Sequence, residues 1–176
     1  GATTAELLLL HGTADVVMVD VVDGVPQGKA LDLMHLRSVE RFGPKVSGTN
    51  DYADTAGSDV VVVTAGLPRK PGMTRDDLLA ANSAIVRSVV ASAVRHSPDA
   101  VFVCVTNPLD IMTYLAWRES GLPSSRVLGM GGVLDSARFA FAVAEKTGAP
   151  IDEIEALAMG AHGDAMVPMP RFTTIN

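Results

Sequence analysis

Apolar runs of strand length alternate with amphipathic stretches along nearly all of the 176 residues, which predicts an α/β fold: a parallel sheet wrapped by helices on both faces. Two details strengthen that reading. The runs Val60-Val61-Val62-Val63 and Val101-Phe102-Val103-Cys104-Val105 are continuously apolar, as strands covered on both faces are. Each feeds into a loop marked by Gly, Pro or Asn rather than into a tight hairpin turn.

Taken in order, residues Ala2 to Leu10 have helical composition, and His11-Gly12-Thr13 supplies a stop. The short apolar strand from Asp15 to Asp20 ends on an acid. Asp23-Gly24 turns the chain into a helix from Gly28 to about Val39, where apolar residues recur at helical spacing. Val46 to Gly48 reads as a short strand and Tyr52 to Ala56 as a turn of helix before the strand Asp59 to Thr64. Asp76 to His96 is a long amphipathic helix, stopped by Ser97-Pro98. The strand Ala100 to Val105 leads to a helix opened by Asn107-Pro108, with the proline at a position that needs no N–H donor. Gly121 and Pro123 end it. A short strand from Arg126 to Leu128, a helix from Leu134 to Lys146 and a strand from Ile154 to Met159 complete the pattern.

A hydrophobic fraction of 48% and a charged fraction of 19% belong to a folded protein. The net charge of −6 argues against a nucleic-acid partner. No apolar run approaches the roughly eighteen residues of a membrane span. The lone cysteine, Cys104, excludes an internal disulfide and fits a reducing, cytoplasmic setting; its apolar neighbours make it a buried, inert thiol.

Right-handed crossovers bring the carboxyl ends of parallel strands to one edge of a sheet, where ligands bind in open α/β folds. Asp20, the loop Gly66 to Arg75 and Asn107 therefore gather on a single rim. Asp20 is placed to accept both hydroxyls of an adenosine ribose and to repel a ribose phosphate, which favours NAD over NADP. Arg69 and Arg75 suit a planar anion, because a guanidinium grips a carboxylate through two parallel hydrogen bonds. Farther on, Asp135 and Arg138 share one helix face, and His162 follows a strand between Gly160 and Gly163. An acid beside the histidine would fix its tautomer and favour the imidazolium. Blander readings remain open at this level: a solvated loop for the arginines, an acid ending a strand by chance, a histidine with an ordinary structural partner.

The segments VPQGKALDL, GLPRKPGMTRDDLL, VTNPLDIMTY, GVLDSAR and GAHGDAMVPMPRF, in that order and spacing, resemble the lactate/malate dehydrogenase family, most closely its lactate dehydrogenase-like bacterial malate enzymes. The resemblance runs over essentially the whole chain. It implies a Rossmann-type doubly wound parallel sheet over residues 1–129, an NAD-binding domain, and over 130–176 the start of an α+β catalytic domain. It implies NAD as cofactor, malate and oxaloacetate as substrate, and a homo-oligomer, with no nucleic-acid or membrane partner. Within it, Asp20 resembles the ribose ligand. Gly1 is similar to the last glycine of the pyrophosphate turn, and Asn82 looks like a cofactor contact. Val105, Thr106 and Asn107 resemble the residues beside the nicotinamide, Asn107 also touching substrate. Arg75 is similar to the arginine that polarises the reacting carbonyl, and Arg138 to the one that pairs with the C1 carboxylate. Asp135 and His162 match the paired acid and proton carrier. Arg69 falls where malate enzymes carry arginine and lactate enzymes commonly glutamine.

The chain departs from the family at both ends. It opens at the last glycine of the phosphate turn, without the strand that lies at the centre of that topology, and it stops soon after the histidine. The expectation is a fragment whose inner strand edges are unpaired. A lactate dehydrogenase and a non-catalytic nucleotide-binding fragment are the rival readings. A sugar-modifying Rossmann enzyme is disfavoured, because neither Tyr52 nor Tyr114 is followed by a lysine at helical spacing.

Overall fold

The structure, a computed structural model, describes residues 1–68 and 71–176, with the backbone alone at residue 75. Its first unit runs α1 (Ala2–Leu10), β1 (Val16–Val19), α2 (Val25–Glu40), β2 (Val46–Thr49). Its second runs β3 (Val60–Val63), α3 (Arg75–His96), β4 (Val101–Cys104), α4 (Leu109–Ser120), β5 (Val127–Gly129). Every strand pairing in these two units is parallel: β1 with β2, and β3 with β4 with β5. That is the α/β architecture the alternating pattern predicts.

The parallel strands form two ladders, β1-β2 and β3-β4-β5, and no strand among the described residues joins β1 to β3. The consequence shows in the side chains. Val17 is 38% exposed, Val60 53% and Val62 38%, although all three lie in strands that read as buried on both faces. The apolar core is divided as well. One cluster centres on Val63, Val86, Val90, Phe102, Cys104 and Met112; the other on Leu9, Ala30, Phe42 and Val46. The 3-10 turn Tyr52–Thr55 links them, since it leaves β2 and packs Tyr52 against the larger cluster. Buried Ser97 locks that turn to the end of α3: its hydroxyl donates to the Thr55 carbonyl (2.7 Å) and accepts from the Ser58 N–H (3.0 Å).

Several boundaries differ from the sequence reading, each for a local reason. α2 begins at Val25, before Gly28, because Gly24 adopts a left-handed φ of 77° and Pro26 pre-sets the first turn. Pro26 crosses close over β2: a Cβ on Gly48 would fall 2.0 Å from the Pro26 carbonyl oxygen, so only glycine fits there. Pro108 is the cap of α4 rather than its first helical residue, after a cis Asn107–Pro108 peptide. α5 (Gly132–Thr147) starts two residues before Leu134. The single strand read over Ile154 to Met159 is two. β6 (Ile154–Glu155) pairs antiparallel with β9 (Thr174–Ile175), and β7 (Ala158–Gly160) with β8 (Met166–Pro168). Different partners on either side break it.

α3 owes its start to a capping box missed in sequence: the Thr74 hydroxyl accepts from the Asp77 N–H (3.1 Å) while Asp77 accepts from the Thr74 N–H (3.0 Å). The Thr74 hydroxyl, which also donates to Asp77 Oδ2 (2.7 Å), and after it the Thr74 N–H hold the Asp77 carboxyl below its ordinary pKa. The stretch Asp76–His96 is long and apolar enough to cross a membrane, which the count of unbroken apolar residues passed over. Its apolar side is spent in the core through Val86, Val90 and Ala93.

Cys104 is fully buried on β4, and that burial pushes its thiol up to about 11, against an opposing hydrogen bond from Thr113. At pH 8 the thiolate is then about one part in a thousand. Native protein should resist alkylation by iodoacetamide for as long as denatured protein takes to react completely. Stability should decline as the pH rises from 9.0 toward about 11, because the unfolded chain releases the thiol proton first. Rapid labelling of folded protein would show that the core opens around β4.

Candidate active site

The site is assembled where the antiparallel segment meets the end of the β3-β4-β5 sheet. Gly131 and Gly132 open α5 without a side-chain cap, and Asp135 lies in its first turn, 6% exposed. Asp135 Oδ2 is 2.8 Å from His162 Nδ1, and Oδ1 is 3.6 Å from Arg138 Nη1 one helical step on. The sequence reading places Arg138 on the same helix face as the acid and gives it no bond to it. The structure pairs them, although the guanidinium stays 64% exposed and keeps donors open to solvent.

His162 is carried on the loop between β7 and β8, and two devices set that loop. The Ser136 hydroxyl on α5 accepts from the Ala158 N–H (3.0 Å), pinning the start of β7. Gly160, at φ +90°, lets the loop close: a Cβ there would fall 2.5 Å from the Ala165 carbonyl oxygen. A third glycine makes room for the ring, since a Cβ on Gly131 would lie 3.2 Å from both Cβ and Nδ1 of His162 and 2.7 Å from Leu109. Sequence reasoning missed Ser136 and Gly131. The Gly131-Gly132 pair ahead of a helix was the available signal for the second. A cavity of about 240 Å³ opens here, lined by Asp110, Thr113, Gly131, Asp135, Gly160 and His162.

The β4 exit forms the neighbouring wall. The Val105 N–H donates to the Val63 carbonyl (2.9 Å), and the Thr106 hydroxyl donates to the Ala65 carbonyl (2.7 Å). Asn107 keeps its side chain exposed while its carbonyl accepts from Asn82 Nδ2 (2.8 Å). Asn82, from α3, is 2% exposed, and its Oδ1 also accepts the Leu67 N–H (2.8 Å). Its amide therefore ties the root of the arginine loop to the Asn107 loop. Gly66 lets the loops touch: a Cβ there would lie 2.6 Å from Thr106 Cγ2.

Asp20 lies apart, exposed at the carboxyl end of β1. Its Oδ1 accepts the Val22 N–H (2.9 Å), and Asn50 Nδ2 donates to the carbonyls of Asp20 (2.7 Å) and Val22 (3.1 Å). Tyr52 is nearby, its hydroxyl pushed to a higher pKa by burial and then by the Asp20 charge. Gly1 caps α1, with no side chain on its first amides and no acid in its first turn. Arg69 lies outside the described residues, as does the side chain of Arg75.

The fold and this arrangement define a doubly wound α/β protein whose buried acid–histidine pair lies beyond the carboxyl edge of its sheet. Residues 1–129 match the family model described as lactate/malate dehydrogenase, NAD binding domain, and the chain belongs to the lactate/malate dehydrogenase family. It is 56% identical over all 176 residues to a malate dehydrogenase of Synechocystis, of which it covers 54%. Among solved structures, the malate dehydrogenase of Salinibacter ruber is 49% identical with a TM-score of 0.91, over 99% of this chain and 55% of that one. A Cryptosporidium parvum lactate dehydrogenase, solved with lactic acid and nicotinamide adenine dinucleotide, is 42% identical with a TM-score of 0.92 over 99% and 55%. The chain thus spans about half the length of the relatives it matches.

Replacing Asn82 by leucine keeps the volume and removes the tether, leaving the Leu67 N–H and the Asn107 carbonyl without their partner. Denaturant unfolding of Asn82→Leu should show a loss of about 2 kcal/mol. A loss near zero would mean that the two loops hold their places without it.

Proposed function

We propose that the protein bearing this chain is an NAD-dependent malate dehydrogenase, interconverting (S)-malate and oxaloacetate. The observation that carries the reading is the 2.8 Å contact between His162 Nδ1 and the buried Asp135 carboxylate, beside a polar cavity. Asp135 holds the neutral ring with its proton on Nδ1, so Nε2 is the atom that accepts the hydroxyl proton of malate. General-base action of this kind is worth roughly 10²–10⁴ in rate. Arg138 pairs with the C1 carboxylate through its exposed donors, and Asn107 touches the substrate from the β4 exit. Arg75 polarises the carbonyl when the reaction runs toward malate.

The residues present fit NAD at its adenosine end. Asn50 fixes the loop after β1, Asp20 keeps a carboxylate oxygen for ribose hydroxyls, and the uncapped amides of α1 at Gly1 suit a pyrophosphate. When bound, NAD supplies the acceptor for the hydride that leaves malate. Val105 and Thr106 flank its nicotinamide. Asn82 contributes to that wall through the backbone it holds. The division into an NAD-binding domain over 1–129 and the start of a catalytic domain over 130–176 belongs to the same reading, as do a cytoplasmic location and a homo-oligomeric state.

Relatives of both substrate classes share this fold, so the choice of malate over lactate rests on Arg69. Its guanidinium meets the second carboxylate, which lactate lacks. Leaving it desolvated and unpaired costs on the order of several kcal/mol, or about a thousandfold in selectivity. Steady-state NADH oxidation on the protein at its natural length tests this. Arg69→Gln should lose most of its preference for oxaloacetate over pyruvate, and His162→Asn should lose roughly 10²–10⁴ in kcat. A wild-type protein that oxidises NADH with pyruvate and not with oxaloacetate would make it a lactate dehydrogenase. Turnover with neither would leave a nucleotide-binding protein.

A further inference from the structure

His162 is held at two points, by two different parts of the chain. Asp135 on α5 takes its ring. Its backbone N–H donates instead to Asp110 Oδ2 at 3.0 Å, from a residue 52 positions earlier. Asp110 stands in the first turn of α4, the helix that begins directly after the Asn107 loop. The bond therefore ties the histidine loop to the unit that carries the sheet. Within the loop, the other fixings are local turns, Gly163 N–H to the Ala161 carbonyl (3.0 Å) and Met166 N–H to the Gly163 carbonyl (3.0 Å). Those set the loop's shape and not its distance from α4.

We propose that Asp110 is a positioning residue for His162, fixing the backbone of the proton carrier relative to the β4 exit where substrate is held. The proposal rests on the reading of His162 as the proton acceptor. A carboxylate accepting a peptide N–H makes a charge-assisted bond, stronger than a neutral one. Asp135 governs the tautomer and rotation of the ring from α5, a contact that does not itself reach α4. The Asp110 bond supplies that reach, from α4 to the His162 backbone. Misplacing a reacting group by about 1 Å can cost on the order of a hundredfold in rate.

The test compares Asp110→Ala with Asp110→Asn, whose amide oxygen still accepts. On the protein at its natural length, D110A should lose about ten- to a hundredfold in kcat with KM for oxaloacetate nearly unchanged, and D110N should stay within about threefold of wild type. Amide exchange followed by NMR supplies a readout independent of turnover. The His162 amide should exchange at least about tenfold faster in D110A and not in D110N, while the Val90 amide in the core of α3 stays as protected as in wild type. If D110A fails to fold, Asp110→Glu is read in its place, because it keeps the charge and moves the acceptor one methylene away.

Wild-type kcat in D110A, unchanged exchange at His162, or equal damage in D110A and D110N would each overturn the proposal. A rise in KM at unchanged kcat would overturn it too. If the wild-type protein does not reduce oxaloacetate, the functional reading fails, and the exchange experiment still decides whether Asp110 holds His162.

Discussion

The carboxylate of Asp135 is nearly cut off from water, and the fold can keep it there only because each oxygen has a partner. A carboxylate buried without a partner costs several kcal/mol, so loss of the His162 contact would be felt in stability as well as in chemistry. The first turn of α5 eases the burden, since the amides at a helix N-terminus favour negative charge. One acid thereby sets the orientation of both the imidazole and the guanidinium. An imidazole and a guanidinium that share one carboxylate keep a fixed relation to each other.

That anchor is useful only if the surrounding backbones come close, and small residues allow it. Gly131 clears the space for the ring, Gly160 lets the histidine loop turn back, and Gly66 lets the β3 exit lie against Thr106. Where glycine opens a gap, a polar side chain closes it: Asn82 between two loops, Ser136 onto β7. The site is thus built largely from backbone held by polar side chains, Asn82 buried and Ser136 partly so. Among the described residues, no buried side-chain polar atom is left without a hydrogen bond.

Much of this was legible in the sequence, and the parts that were not share a physical cause. Valine-rich runs at β3 and β4 and the helical spacing of α3 depend on short-range pattern, so they could be read directly. The pairing of Asp135 with His162 was expected from the residue types and the family resemblance. Boundaries governed by one neighbour were not: Gly24 moving the start of α2, or the change of partner that splits β6 from β7. The same limit hid the role of Asn82. Its spacing on α3 says only that it lies on a helix; that it grips Leu67 and Asn107 depends on loops 15 and 25 residues away. Ser136 and Asp110 act across 22 and 52 residues, where no local pattern reaches.

The central claim is that Asp135 holds the neutral ring of His162 with its proton on Nδ1, leaving Nε2 as the acceptor. Nitrogen-15 NMR of the histidine ring, recorded above the pH at which it loses its extra proton, tests this most directly. The account predicts a protonated, pyrrole-type Nδ1 and an unprotonated, pyridine-type Nε2. The opposite tautomer, with the proton on Nε2, would contradict it, because the ring could then take no proton from a hydroxyl at that atom.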